Sequence, residues 1–347
     1  MQKKIQGESI IMANYDIIGI SGCGGSGAGA VRDLLSGCSE LQVYEKGESQ
    51  ILHYADGILD LKHYLVECRD KIASNAALKR YKKSLYDYRS FSVPSDIIKE
   101  YRKISLKYMD ALILCKWKGF STFDPKDVGG GTDKWIVNKS MGLCRKIGKL
   151  FGVELAFPPS KERYFSILPE ERFNDITGKY LDQYFHLLGF HEKKPVVLEQ
   201  FFVFSHPTLG FEFLKSAKVI LVQRDPRDVY ANCRFTIKTA ESKNMGRFMP
   251  TGNVEDFIKY YNALHTGIEK DPRVFTVQFE NLIYEYEQTV QDIVAFLGIQ
   301  RTPEFGKKFD PSFSIKNTGI YKSFPEIAED VKKIEKRLPQ FLNSYVD

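Results

Sequence analysis

Residues 15–29 read Tyr15-Asp-Ile-Ile-Gly-Ile-Ser21, then Gly22-Cys-Gly-Gly-Ser-Gly27, then Ala28-Gly29. The first seven form a short apolar strand, and the glycine cluster breaks it. Ala28, Val31, Leu34 and Leu35 then recur at helical spacing, with Gly37 as the stop. Leu41-Gln-Val-Tyr-Glu45 alternates like a second strand. A strand, glycine turn, helix and strand within ~30 residues predict a βαβ unit of a parallel sheet. Glycines at such a junction let backbone N–H groups converge on one point. The helix N-terminus adds partial positive charge there, so the loop is a candidate phosphate site.

The second half supplies more of the sheet. Pro195-Val-Val-Leu198 and Lys218-Val-Ile-Leu-Val-Gln223 read as buried strands, and residues 274–279 as another. Asp225-Pro226 opens a helix with proline at its first position. Val290, Ile293, Val294 and Leu297 form one helix face that Gly298 ends. Ser323-Phe-Pro-Glu326 has capping-box spacing ahead of an amphipathic helix carrying Ile327, Val331, Ile334 and Leu338. Between the two halves, residues 57–190 are rich in Lys and Tyr and mostly helical in period. The expected fold class is α/β around a parallel sheet.

Composition narrows the function. The chain has 347 residues, 43% hydrophobic and 27% charged, which excludes disordered, collagen-like and low-complexity classes. The net charge of +6 suits an anionic ligand and is too weak to argue for duplex nucleic acid. No apolar run reaches the length of a membrane span, and residues 1–13 lack the apolar stretch of a secretory signal. Six cysteines without a C-x-x-C pair suggest reduced, mostly buried thiols in a cytoplasmic protein. With no H-x-x-x-H spacing either, no structural metal is expected.

The glycine loop has three readings. Gly22-x-Gly24-x-x-Gly27 matches the dinucleotide fingerprint, with Glu45 placed to bind a ribose hydroxyl, which would make a flavin- or NAD-dependent oxidoreductase. A nucleoside-triphosphate loop is disfavoured, because Ala28-Gly29 stand where Lys-Ser/Thr would hold phosphates and Mg²⁺. Gly25-Ser26-Gly27-Ala28-Gly29 also resembles the 5′-phosphosulfate loop of sulfotransferases that use 3′-phosphoadenosine 5′-phosphosulfate (PAPS).

Three later segments extend the third reading. Residues 219–232 deliver Arg224 at a strand end, then Asp225-Pro-Arg-Asp228, with Asn232 eight residues after the arginine. An arginine and a facing helix residue can reach one phosphate. This resembles the family's 3′-phosphate motif, with Asn232 where Ser is usual; the competing reading is a helix-start salt bridge from Arg224 or Arg227 to Asp228. Residues 274–299 resemble its strand–helix–Phe-Leu-Gly segment. Lys316-Asn-Thr-Gly319-Ile-Tyr321-Lys322 is similar to the Gly-x-Trp-Lys region that closes over the nucleotide, with Tyr for Trp. Residues 57–190 match no family segment.

The resemblance implies a three-layer αβα fold, P-loop-nucleotide-hydrolase-like, as a single domain over 1–347. Residues 57–190 would form a mainly helical insertion on the acceptor side. It implies PAPS as co-substrate, no metal, and a hydroxyl acceptor such as a carbohydrate or other small compound. The implied nucleotide contacts are Gly24, Gly25, Ser26, Gly27, Ala28, Gly29, Arg224, Asn232, Lys316 and Lys322. The family places a His or Glu base just beyond the second strand. Glu45 is the first choice, with Glu48 and His53 as alternates, and partial burial would raise the chosen carboxyl's pKa. The chain departs from the pattern at Gly25, where the family has Lys or Arg to stabilise the leaving oxygen. Lys46, Lys316 and Lys322 are candidate replacements. Charge has two addresses: residues 101–150 hold eleven Lys and Arg against four Asp and Glu, and 201–250 hold eight against four.

Overall fold

The computed structural model describes residues 13–87, 93–119, 131–153, 161–236 and 249–346. In chain order the elements are β1 (Ala13–Gly22), α1 (Ala28–Leu35), β2 (Gln42–Val43), α2 (Ile58–Lys62), α3 (Lys71–Ser84), α4 (Ile98–Leu112) and β3 (Cys115–Gly119). There follow α5 (Gly131–Phe151), β4 (Lys161–Phe165), α6 (Glu170–Leu187), β5 (Val196–Glu199), β6 (Leu214–Gln223), α7 (Pro226–Ala231) and α8 (Val254–His265). The last are β7 (Val274–Gln278), α9 (Asn281–Tyr284), α10 (Tyr286–Leu297), α11 (Pro311–Ser314) and α12 (Ala328–Arg337). Two compact units result: Met1–Ala13 with His53–Leu188, and Asn14–Leu52 with Gly189–Asp347.

The second unit carries a five-stranded parallel sheet in the order β2-β5-β1-β6-β7. Ile17 pairs with Val196 and Ile20 with Glu199, and Val219 pairs with Val274. Side chains alternate across a strand. Ile18, Ile20, Ile220 and Val222 therefore share one face, where α1 (Val31, Leu34, Leu35) and α10 (Val290, Ile293, Leu297) cover them. On the other face of β1 a β-carbon on Gly19 would lie 2.2 Å from the Phe202 ring, so the ring occupies that space. Both faces of the central strands are buried, which explains their unbroken apolar runs. A second cluster joins α7, α8 and α12 through Val229, Tyr230, Phe257, Tyr261, Val331 and Ile334. This is the expected α/β fold, with a strand, glycine loop and helix at its centre.

The strand order removes the dinucleotide reading's context. In that fold the second strand lies beside the first. Here β5 stands between β1 and β2, and β2 pairs with β5 through Gln42↔Val196.

Local departures have local causes. The expected capping box at Ser323–Glu326 does not form: Ile320–Ser323 and Pro325–Ile327 are 3₁₀ turns, and no side chain caps α12. The stretch read as mostly helical also contains an antiparallel pair, β3 and β4, in register from Cys115↔Phe165 to Gly119↔Lys161.

The first unit is built on tyrosines. Tyr81, Tyr101, Tyr108, Tyr180 and Tyr184 are buried, and Tyr108 stacks on Tyr180 at 4.3 Å. Two of the hydroxyls are hydrogen-bonded within the unit: Tyr180 meets Ser105 at 2.7 Å, and Tyr108 meets Thr177 at 3.0 Å. Tyr86, Trp117 and Trp135 are exposed. Tyr88, Phe91, Phe120, Gly129 and Gly130 lie outside the described residues. All six cysteines are free; Cys23, Cys38 and Cys233 are buried, whereas Cys68 and Cys115 are exposed. No helix among the described residues is long and apolar enough to cross a membrane.

Candidate active site

The site lies in the second unit, at the C-terminal ends of β1, β6 and β7, where open α/β sheets bind ligands. A cavity of about 490 Å³ is lined by Gly25 and Gly27, by Ala30 and Asp33 of α1, and by Arg224 and Asn232. Phe279, Lys308, Phe313 and Asn317 complete much of its wall. The loop and the arginine motif are 199 residues apart in sequence, yet the Arg224 guanidinium donates to the Gly25 carbonyl at 2.8 Å. A second Arg224 nitrogen donates to the Asn317 carbonyl, and its ring neighbour is Phe279 at 5.1 Å.

The glycines are held by contact as well as by ligand space. Gly25 and Gly27 have φ of +79° and +88°, a region L side chains rarely adopt. A β-carbon on Gly25 would meet Cys233 Sγ at 3.0 Å and Asn232 Nδ2 at 3.2 Å. A lysine at this position would therefore be strained whatever its charge offered. A β-carbon on Gly27 would meet Phe279 at 2.4 Å, and one on Gly22 would meet Ser26 Oγ at 2.1 Å. Ser26 Oγ is buried without a hydrogen-bond partner, and Ala28 faces the core. No side chain caps α1, and the Ala30 N–H donates to the Gly27 carbonyl at 2.9 Å.

Arg224 is 4% exposed and has no carboxylate within 4 Å among the described residues, and its Nε is buried without a partner. The alternative of a helix-start salt bridge to Asp228 does not hold for either arginine. Arg227 instead pairs with Asp225 at 2.7 Å and with Glu335 of α12 at 2.9 Å. Asp228 accepts from the backbone N–H groups of Gly319 (2.7 Å) and Tyr321 (3.3 Å). Burial pushes the Asp228 carboxyl up from its usual range, with Arg224 opposing. The motif thus pins the segment 316–322 beside Arg224. Beneath it, Glu280 accepts from the Asp225 N–H, and burial raises its pKa to about 7.

Other sequence candidates are distributed as follows. Lys316 sits over the Phe313 ring at 3.1 Å, and Lys322 lies 5.9 Å from the Tyr321 ring; neither lines the cavity. Lys46 and Glu48 are exposed, with Glu48 accepting from Gln50. His53 belongs to the other unit. Glu45 is exposed and ion-paired to Lys308, whose hydrogen bond holds the carboxyl below its ordinary range. That direction is opposite to the raised pKa expected of a base there.

Three residues were missed in the sequence. Lys308 is the cation that lines the cavity with Arg224, and nothing in its local pattern marks it. Glu199 ends β5, is 8% exposed, and pairs with Arg32 of α1 at 2.9 Å. Burial raises its pKa, with Arg32 opposing. Ala30 and Asp33 line the cavity, while a β-carbon on Gly29 would lie 3.7 Å from Glu199, on another flank of α1. Gln200 follows at φ +58°, donating its side-chain amide to the Gly22 carbonyl at 3.0 Å. A charged residue closing an apolar strand was the available signal for Glu199.

A family model described as the sulfotransferase family matches residues 133–303, the span that holds β5, β6, Arg224, Asn232 and β7. Over these residues the chain is similar to the sulfotransferase family. The sulfotransferase match begins at 133, inside the stretch for which the sequence suggested no family. Solved structures similar to the chain include a sulfotransferase domain from the curacin biosynthetic pathway, at 13% identity and TM-score 0.40, covering 95% of this chain and 99% of that one. Another is the sulfotransferase domain of the Synechococcus PCC 7002 olefin synthase, at 13% identity and TM-score 0.38, covering 97% and 98%. A third is sulfotransferase STF9 from Mycobacterium avium, at 10% identity and TM-score 0.33, covering 90% and 68%. No curated protein matches the chain significantly.

Proposed function

We propose that this chain moves the sulfuryl group of PAPS to the hydroxyl of a small acceptor. The observation that carries the reading is Arg224: a buried guanidinium on the cavity wall, beside the glycine loop, with an orphaned Nε and no carboxylate counter-charge within 4 Å among the described residues. A buried cation is costly unless an anion meets it. Two further features fit the donor. Gly25 and Gly27 present bare backbone to the cavity, and Lys308 brings a second positive charge to it. Arg224 and Asn232 would hold the 3′-phosphate, and residues 24–29 with the α1 N-terminus would hold the 5′-phosphosulfate. Lys308 would stabilise the leaving phosphate oxygen in place of a loop lysine.

In the transfer, the bond from sulfur to the 5′-phosphate oxygen breaks and a bond from sulfur to the acceptor oxygen forms. The acceptor proton passes to a carboxylate. Positioning and preorganised charge carry such a reaction, and it needs no metal. For the base, Glu199 fits better than Glu45. Both carboxyls are ion-paired, Glu199 to Arg32 and Glu45 to Lys308, but Glu199 is buried with a raised pKa, whereas Glu45 is exposed and lowered. Glu45 would then hold Lys308 at the cavity edge. The cytoplasm is the proposed compartment, on the strength of six free thiols.

The test is to incubate the protein with PAPS and a panel of hydroxyl acceptors, including carbohydrates, sterols and phenols, and to follow release of adenosine 3′,5′-bisphosphate. Acceptor-dependent release is expected. PAPS that binds but is never consumed would make the site a nucleotide-binding one without turnover.

A further inference from the structure

In the first unit, α5 presents an apolar stripe that no described residue covers. Leu150 is 82% exposed, Phe151 70%, Leu143 58%, Ile136 48% and Ile147 38%. At α-helical periodicity these five side chains fall within an arc of about 100°. Trp135, 62% exposed, stands at its edge, with the Lys139 ammonium 5.6 Å from its ring centroid. Lys146 projects at nearly the same angle as Lys139, and Arg145 and Lys149 are exposed further round. Residues 131–151 hold five Lys and Arg against one Asp. Here the excess positive charge of residues 101–150 acquires an apolar neighbour.

We propose that this face of α5 is a docking surface for an anionic phospholipid bilayer. The helix would lie in the interface rather than span it. An apolar arc bordered by lysines, with a tryptophan at the boundary, is the pattern that buries its apolar side among acyl chains while cations meet headgroup phosphates. Lysine stems can lie along the apolar boundary and keep their ammonium groups in the headgroup layer. A second copy of the chain is the poorer occupant. Two-fold pairing of this face would bring one lysine border against the other, with no acidic side chain among the described residues of the face to offset them. Lys139 and Lys146 at the boundary also disfavour a neutral surface, since attraction to anionic lipid contributes to binding at each.

The full chain tests this by flotation with vesicles. It should float with equimolar phosphatidylcholine and phosphatidylglycerol, stay behind with phosphatidylcholine alone, and be released at high salt. Trp135 fluorescence, read in a Trp117→Phe background, should shift to the blue on binding. Lys139→Gln with Lys146→Gln should weaken partition about 30-fold. Leu143→Glu with Leu150→Glu should abolish it without lowering the melting temperature, because both side chains are exposed. If that pair fails to fold, the lysine pair still decides the matter. Absence of flotation, or flotation undiminished by the lysine pair, overturns the proposal. So does a concentration-dependent dimer that the leucine pair breaks while vesicles bind nothing.

Discussion

Arg224→Ala separates the arginine's two jobs, holding the site together and meeting the nucleotide. In the free protein the substitution removes donors to the Gly25 and Asn317 carbonyls and the contact over Phe279. Hydrogen bonds from a charged donor contribute about 1.5–3 kcal/mol each. The substitution also removes a buried charge with no carboxylate within 4 Å among the described residues, a term of several kcal/mol in the opposite direction. The two nearly cancel, so the free protein should change in stability by less than about 2 kcal/mol. Binding has no such compensation. Losing one charge-assisted pair to the 3′-phosphate should weaken adenosine 3′,5′-bisphosphate by about 10- to 150-fold. Arg224→Lys keeps the charge but cannot span two carbonyls and a phosphate, so its affinity should fall between the two. Denaturant unfolding gives the first quantity and isothermal titration calorimetry the second. An alanine variant that binds within twofold of the parent would refute the role given to Arg224.

Three other outcomes follow from the geometry. Gly27→Ala should cost about 1–2 kcal/mol for its backbone conformation and about 1–3 kcal/mol for crowding Phe279. Gly29→Ala, whose nearest new neighbours lie at 3.7 Å, should stay near the parent in the same denaturant titration; equal effects would contradict the loop packing. Glu280 has a folded pKa of about 7 against an ordinary 4.5, so the folded state binds its proton more tightly. Its contribution is fully present below pH 4.5 and is lost as pH rises through about 7. Glu280→Gln should therefore gain on the parent across that window, by about 3 kcal/mol at the plateau; a pH-independent difference in melting would refute the burial argument. Glu199→Gln should retain nucleotide binding and lose turnover, while Glu45→Gln should keep turnover and alter it only through Lys308. The reverse pattern in sulfate release would return the base to Glu45.

The sheet was legible because buried parallel strands announce themselves as apolar runs. Residues 15–21 and 218–223 lie inside β1 and β6, and Gly298 ends α10 at φ +73° as its position suggested. The strand order was not legible, since nothing in residues 15–45 says that β5 will come between β1 and β2. The hairpin of β3 and β4 was hidden for a related reason: its partners are 42 or more residues apart and mostly exposed, without an apolar alternation to read. At the site, Gly25, Arg224 and Asn232 were readable because motif spacing carries them, and the structure brings all three to one cavity. Lys308 and the Glu45 ion pair depend on where the chain returns after α10, which local pattern does not encode. The missing loop lysine also has a physical reason visible only in three dimensions, since Gly25 has a left-handed backbone against Cys233 and Asn232.

The central claim is that the cavity at Gly25, Arg224 and Asn232 takes a nucleotide with two separate anionic ends. Calorimetric titration of the parent protein with adenosine 3′,5′-bisphosphate, ADP and NAD tests it most directly. The account predicts saturable binding of the bisphosphate at least tenfold tighter than either competitor, because only it presents a 3′-phosphate to Arg224. Equal affinity for ADP, or tighter binding of NAD, would contradict it.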